Sequence, residues 1–193
     1  MGVRSDVLVV ADQAVARWME TVRTPGLDRL ARGLTSAGGI PVILTLVATM
    51  LGWWWKTRQP RLAWVFLGTW GGGLILQAVL RFWVGQWRPD AVVPASMDLV
   101  TRYDLAGFTS GHALRSAFLY GWWSQALLRR RVWWASLGAA GCVALILLVG
   151  ASRIYLRRHW LTDVVGAWLI AGVVLTVASM LQARGEAGRG PDA

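Results

Sequence analysis

Cysteine is nearly missing from this chain: the one thiol, Cys142, allows no internal disulfide and lies in the middle of an apolar run. Acidic residues are few, 10 against 20 basic ones, and they form no carboxylate cluster that could hold a cation. Histidine occurs only twice. Charged residues make up 16% of the sequence against 55% hydrophobic, with mean hydropathy +0.46, a balance that excludes an ordinary soluble core. The net charge of +10 does not point to nucleic acid. Its arginines, 19 of the 20 basic residues, cluster at the ends of apolar runs, where anionic headgroups and membrane orientation account for them. No cleavable signal peptide is expected either. The apolar stretch 7–10 is too short for an h-region, and Asp12 and Arg17 follow it closely.

Four nearly charge-free runs remain, at residues 38–55, 62–80, 133–150 and 160–182, with a shorter fifth at 113–128 that contains Arg115. A span needs about 20 helical residues to cross the hydrocarbon. The 193 residues are therefore expected to form one all-α unit, an integral membrane bundle of about five transmembrane helices. Residues 1–36 read differently. Val7, Leu8, Val10, Ala11, Ala14, Val15, Trp18, Met19 and Val22 recur at helical spacing, with Asp6, Asp12, Gln13, Arg17 and Glu20 off that stripe. A second stripe, Leu27, Leu30, Ala31 and Leu34, follows Pro25-Gly26. These are amphipathic helices, lying in the interface or packed as a lid on the protein's own helices. The expected organisation is then interfacial helices at 1–36, a membrane domain at 37–183 and a polar tail at 184–193. Of 14 tryptophans many flank span ends, namely Trp53–Trp55, Trp83, Trp87, Trp133, Trp134 and Trp160, and read as interface belts.

Turns 56–61 and 129–131 carry charge but no plausible chemistry, which places them together on the cytoplasmic side. The opposite ends, holding residues 81–112 and 152–159, then meet on the extracytoplasmic face. Each histidine there stands in a short polar motif. His159 and Asp163 are four apart at the start of the last span and share a helical face, so the carboxylate can accept Nδ1–H and direct Nε2 outward as nucleophile or base. Arg153, in the preceding turn, offers a planar fork for two phosphate oxygens, whereas Arg157 and Arg158 read as headgroup or solvent contacts. Thr109-Ser110-Gly111-His112 opens the third span: hydroxyls for capping, a glycine for close backbone approach, and free amides for an anion. Arg81 and Arg88 bracket the end of the second span, with Pro89 expected to stop the helix.

Together these pieces resemble the type 2 phosphatidic acid phosphatase superfamily of membrane lipid phosphatases. Its signatures are Lys-x6-Arg-Pro, Pro-Ser-Gly-His and Ser-Arg-x5-His-x3-Asp. The third is present without deviation as Ser152, Arg153, His159 and Asp163; the first has Arg81 for lysine and the second Thr109 for proline. The resemblance covers roughly residues 35–182.

It implies a catalytic set of His112, His159, Asp163 and Arg153, with Arg81, Arg88, Ser110 and Gly111 binding phosphate. His159 would attack phosphorus to form a phosphohistidine, and His112 would protonate the leaving oxygen and then activate water. No metal and no cofactor is expected, since the arginines supply the positive charge. The implied partners are a lipid phosphate substrate and membrane lipids, not nucleic acid, and the oligomeric state is open. The candidate substrates are undecaprenyl diphosphate, placed first on chain size, phosphatidylglycerol phosphate and phosphatidic acid. The implied location is a bacterial inner membrane. Two other readings compete: a non-catalytic lipid-binding protein that retains an anion site, and a vanadate-dependent haloperoxidase.

Overall fold

The turns between apolar runs are written in prolines, glycines and caps, and they divide the described residues into eight helices. This is a computed structural model that describes residues 6–92, 94, 96 and 98–187. α1 (Asp6–Thr21) gives way to α2 (Pro25–Ser36), where Thr24 caps the Leu27 amide at 3.2 Å and Pro25 occupies the first turn. α3 (Ile40–Lys56) and α4 (Pro60–Val84) likewise start at prolines. α4 closes on Gly85 at φ +59°, a left-handed C-cap that suits glycine. The helix thus ends before Pro89, because Gly85 stops it four residues earlier. α5 (Leu99–Leu105) is short, with Asp98 capping the Thr101 amide at 2.7 Å. α6 (Gly111–Leu128), α7 (Trp133–Tyr155) and α8 (Leu161–Ala187) complete the bundle. Of the tail expected at 184–193, α8 takes up residues to Ala187 and 188–193 lie outside the described residues.

Among the described residues, four stretches are long and apolar enough to cross a membrane: residues 25–56 (α2 running on through a turn into α3), α4, α7 and residues 161–184 of α8. α6 supplies the fifth element of the bundle. It is shorter and more polar, and it packs mainly against α7 and α8, with 11 of its 18 residues buried, so the bundle shields it from lipid. Apolar side chains instead cover the outside of the other helices, including Trp64, Ile75, Leu137 and Leu169, the pattern of lipid contact. Inside, Phe66 stacks among Phe118, Trp122 and Trp54 with centroids 5.1–5.7 Å apart. Trp54 therefore belongs to the core and not to the belt expected at 53–55, whereas Trp53 and Trp55 are exposed.

The helix ends sort as the motif placement requires. At one end Arg61 donates to the Leu181 carbonyl (2.9 Å) and Arg129 to Gln182 (2.7 Å), joining the first turn of α4 and the 129–132 turn to the C-terminal part of α8. The C-termini of α4 and α7 and the N-termini of α6 and α8 meet at the other end. α1 and α2 dock there too, chiefly on α7 and α8. They are held by Tyr155–Thr24 hydrogen bonds and the Arg157–Glu20 ion pair. Docking divides the apolar stripe of α1, with Val15 and Met19 packed against the core. Val7, Val10 and Trp18 face outward, and the one buried residue is Asp12.

Candidate active site

The turn from α7 to α8 fixes the first group. α7 ends in a left-handed residue, Arg157 at φ +56°, and the Arg153 carbonyl accepts the amides of Arg158 (3.0 Å) and His159 (3.3 Å). The arginine and histidine of one motif are thus tied through the backbone. His159 is buried, and its Nδ1 lies 3.4 Å from Asp163 Oδ2, one helical turn on, as the four-residue spacing requires. The same Oδ2 accepts the Trp160 amide at 2.9 Å. Nε2 is the nitrogen on the far side of the ring, so a carboxylate that orients Nδ1 leaves the other lone pair to react. Burial, reinforced by Arg153, Arg88 and Arg81, holds the imidazole far below its ordinary value. A lowered value favours the neutral ring, the form in which Nε2 keeps a lone pair.

The second group is the loop before α6. Ser110 caps α6 by accepting from the Ala113 amide (3.4 Å), and its own amide donates to the Asp163 carbonyl at 3.1 Å. This corrects one expectation: Ser110 joins two helices with its amide, leaving Gly111 and His112 as the first-turn amides open to an anion. Thr109 does not cap, since Ser110 holds that position. The Thr109 carbonyl instead gathers α4, accepting from Arg81 Nη2 (3.1 Å) and Gln77 Nε2 (3.0 Å). His112 follows at the start of α6, half-buried, within electrostatic reach of His159, Arg153, Arg115 and Arg88.

The segment after α4 brings in Arg88. Trp87 and Ala106 form an antiparallel bridge, Gly107 donates to the Gln86 carbonyl (2.6 Å), and the Arg88 amide donates to Leu105 (3.2 Å). Trp160 closes the ring through its indole N–H to the Trp87 carbonyl at 2.8 Å. All eight expected positions therefore lie within one connected cluster. Arg157 and Arg158 stand outside it in surface pairs with Glu20 and Asp90.

Other residues complete the surroundings. Gly107 is packed so tightly that an added Cβ would stand 2.9 Å from Asp163 Oδ2. Arg115 reaches back along α6, as helical side chains do, to within 2.9 Å of where a Gly111 Cβ would sit. Arg81 lies over the Tyr103 ring (4.6 Å), and Arg153 donates to Thr35 of α2 (3.0 Å). Among the described residues, Arg81, Arg88, Arg115 and Arg153 each bury an Nε–H that has no hydrogen-bond partner. Buried donors are nearly always paired, so four unpaired guanidinium donors within one cluster fit an oxyanion with several oxygens. No group of three or more metal-ligating side chains occurs among the described residues.

The PAP2 superfamily model matches residues 62–185, which hold every motif above. The chain belongs to the PAP2 superfamily. Membership makes it a hydrolase of lipid phosphate esters. It is 26% identical over 171 residues to phosphatidylglycerophosphatase B of Bacillus subtilis (strain 168), covering 86% of this chain and 80% of that protein. Its fold is that of a transmembrane PAP2-type phosphatidylglycerolphosphate phosphatase from Bacillus subtilis (TM-score 0.74, 22% identity, 94% of this chain and 89% of that one). It also matches LpxE of Aquifex aeolicus (TM-score 0.65, 18% identity, 88% and 94%).

Proposed function

We propose that the protein removes a phosphoryl group from a membrane lipid through a phosphohistidine, with phosphatidylglycerol phosphate as the leading substrate. Undecaprenyl diphosphate and phosphatidic acid follow it. The observation that carries the reading is a carboxylate-oriented His159 set among four arginines whose buried Nε–H donors have no partner. The order of substrates follows the relatives' names, which puts phosphatidylglycerol phosphate ahead of the isoprenoid diphosphate that chain size alone favours.

His159 Nε2 attacks phosphorus in line. The P–O bond to the lipid breaks as His112, in its protonated form, delivers a proton to the departing oxygen. His112 then takes a proton from water, whose oxygen attacks the phosphohistidine and releases inorganic phosphate. Arg81, Arg88, Arg153 and the Gly111 and His112 amides hold the equatorial oxygens while charge redistributes. We place the site on the extracytoplasmic side of a bacterial inner membrane, because the short basic segments 56–61 and 129–131 lie at the other end of the bundle.

The test is phosphate release by the detergent-solubilised protein from each of the three lipids. His159→Ala should fall to background on all of them, and acid-labile, base-stable phosphate should label the wild type but not this variant. Wild-type turnover by His159→Ala would refute the reading.

A further inference from the structure

A buried carboxylate needs a reason, and Asp12 is the only buried residue of α1, at 2% exposure. Its partner is the first turn of α8. Trp160 stands just before Leu161, at the position where a helix ordinarily places a serine, threonine or aspartate to accept a first-turn amide. An indole accepts nothing. Asp12 supplies what is missing: one oxygen accepts the Thr162 amide at 2.9 Å and the other accepts the Thr162 hydroxyl at 2.7 Å. The next residue is Asp163, whose Oδ2 takes the Trp160 amide and faces His159. One turn of helix therefore carries two carboxylates, one from its own chain segment and one from α1. Their negative charge also suits the positive end of the helix.

We infer that Asp12 is a positioning residue for the reaction proposed above: a helix cap supplied from a separate helix, which fixes the direction of the Asp163 carboxylate and through it the His159 ring. This gives the N-terminal helices a part in the chemistry without contact with the substrate. It rests on the phosphohistidine reading. α1 is also held by Glu20–Arg157, so loss of the Asp12 carboxylate alone leaves the helix a second attachment.

The experiment uses the full-length protein in detergent and inhibition constants, which do not depend on how much of a preparation is folded. Inorganic phosphate reports the arginine cage. Orthovanadate mimics the pentacoordinate state and reports where His159 points as well. In Asp12→Ala, kcat should fall about tenfold and the vanadate constant rise about as much, the size expected of a sub-ångström misplacement, while KM and the phosphate constant stay within about twofold. Asp12→Asn should recover most of the loss, because an amide oxygen still caps the Thr162 amide. If Asp12→Ala cannot be purified, Thr162→Val carries the same test with a smaller effect in the same direction. An unchanged ratio of vanadate to phosphate constants overturns the inference, as does an Asn variant no better than Ala. Absence of phosphate release by the wild type would instead defeat the phosphatase reading itself.

Discussion

Gly107→Ala places one methyl group against the candidate nucleophile's orienting carboxylate without replacing a titratable residue. The added Cβ would lie 2.9 Å from Asp163 Oδ2 and 3.4 Å from both the Arg88 amide nitrogen and the Gln86 carbonyl oxygen. Ordinary contact begins near 3.4 Å, so something must move by roughly half an ångström. The backbone has little room. Gly107 donates to Gln86 at 2.6 Å on one side, and the neighbouring Trp87–Ala106 bridge holds the other. Asp163 is fully buried but is a side chain, so its carboxylate is what gives way. That shift lengthens a His159 contact already at 3.4 Å. Misplacement by 1 Å costs on the order of a hundredfold in rate, so half that distance costs about tenfold in kcat. The assay is steady-state phosphate release from phosphatidylglycerol phosphate in mixed micelles, with phosphate inhibition as a check on the arginines. KM should stay within about twofold, since the cage is untouched. Wild-type kcat in Gly107→Ala would mean that the Asp163–His159 contact does not govern the rate.

Gly111→Ala offers the contrast: its Cβ meets the end of the flexible Arg115 side chain at 2.9 Å, which can retract, so we expect kcat to hold and KM to rise about threefold, read in the same assay. The pH profile follows from His159, whose value lies far below the ordinary 6.5. Its neutral form is fully present above the depressed value and is lost only as pH falls through it, so between pH 7 and 5 kcat/KM should fall by no more than the about tenfold set by the second ionisation of the substrate phosphate, since protonation of His112, the acid of the proposed step, acts in the opposite direction. A histidine at its ordinary value would add roughly another thirtyfold, and observing that extra loss would refute the assignment. Gly150→Ala, whose Cβ would overlap Trp168 and press Val164 at 2.8 Å, should lower stability in detergent by about 1–3 kcal/mol, seen as a lower Tm, while specific activity of the folded fraction is kept.

The parts of this molecule that could be read from sequence are those in which local spacing dictates geometry. His159 and Asp163 pair because four residues make one helical turn, and Arg153 joins them because a short turn leaves it no other place. Convergence of the other motifs followed from topology, since helices that cross and return bring alternate ends together. Gly85 was legible in principle as a left-handed cap, but Pro89 carries the stronger stop signal and drew the boundary too late. Arg115 lay in an apolar run where it reads as a break in a span. That a helical side chain points toward the N-terminus, and so toward Gly111, was the signal that could have placed it in the site.

Asp12 marks where such reading stops, and for a physical reason. On its own helix it sits off the apolar stripe, which is the pattern of a solvated residue, and no property of α1 says otherwise. Its burial is decided some 150 residues away, where Trp160 leaves the start of α8 without a cap of its own. A helix end without an acceptor creates a demand that any nearby carboxylate can meet, and the demand is visible only when that end is recognised as deficient. The defect and its remedy therefore have to be read together. The same holds for the arginine donors: each buried Nε–H is costly alone, and the oxyanion proposed above would give all four a partner.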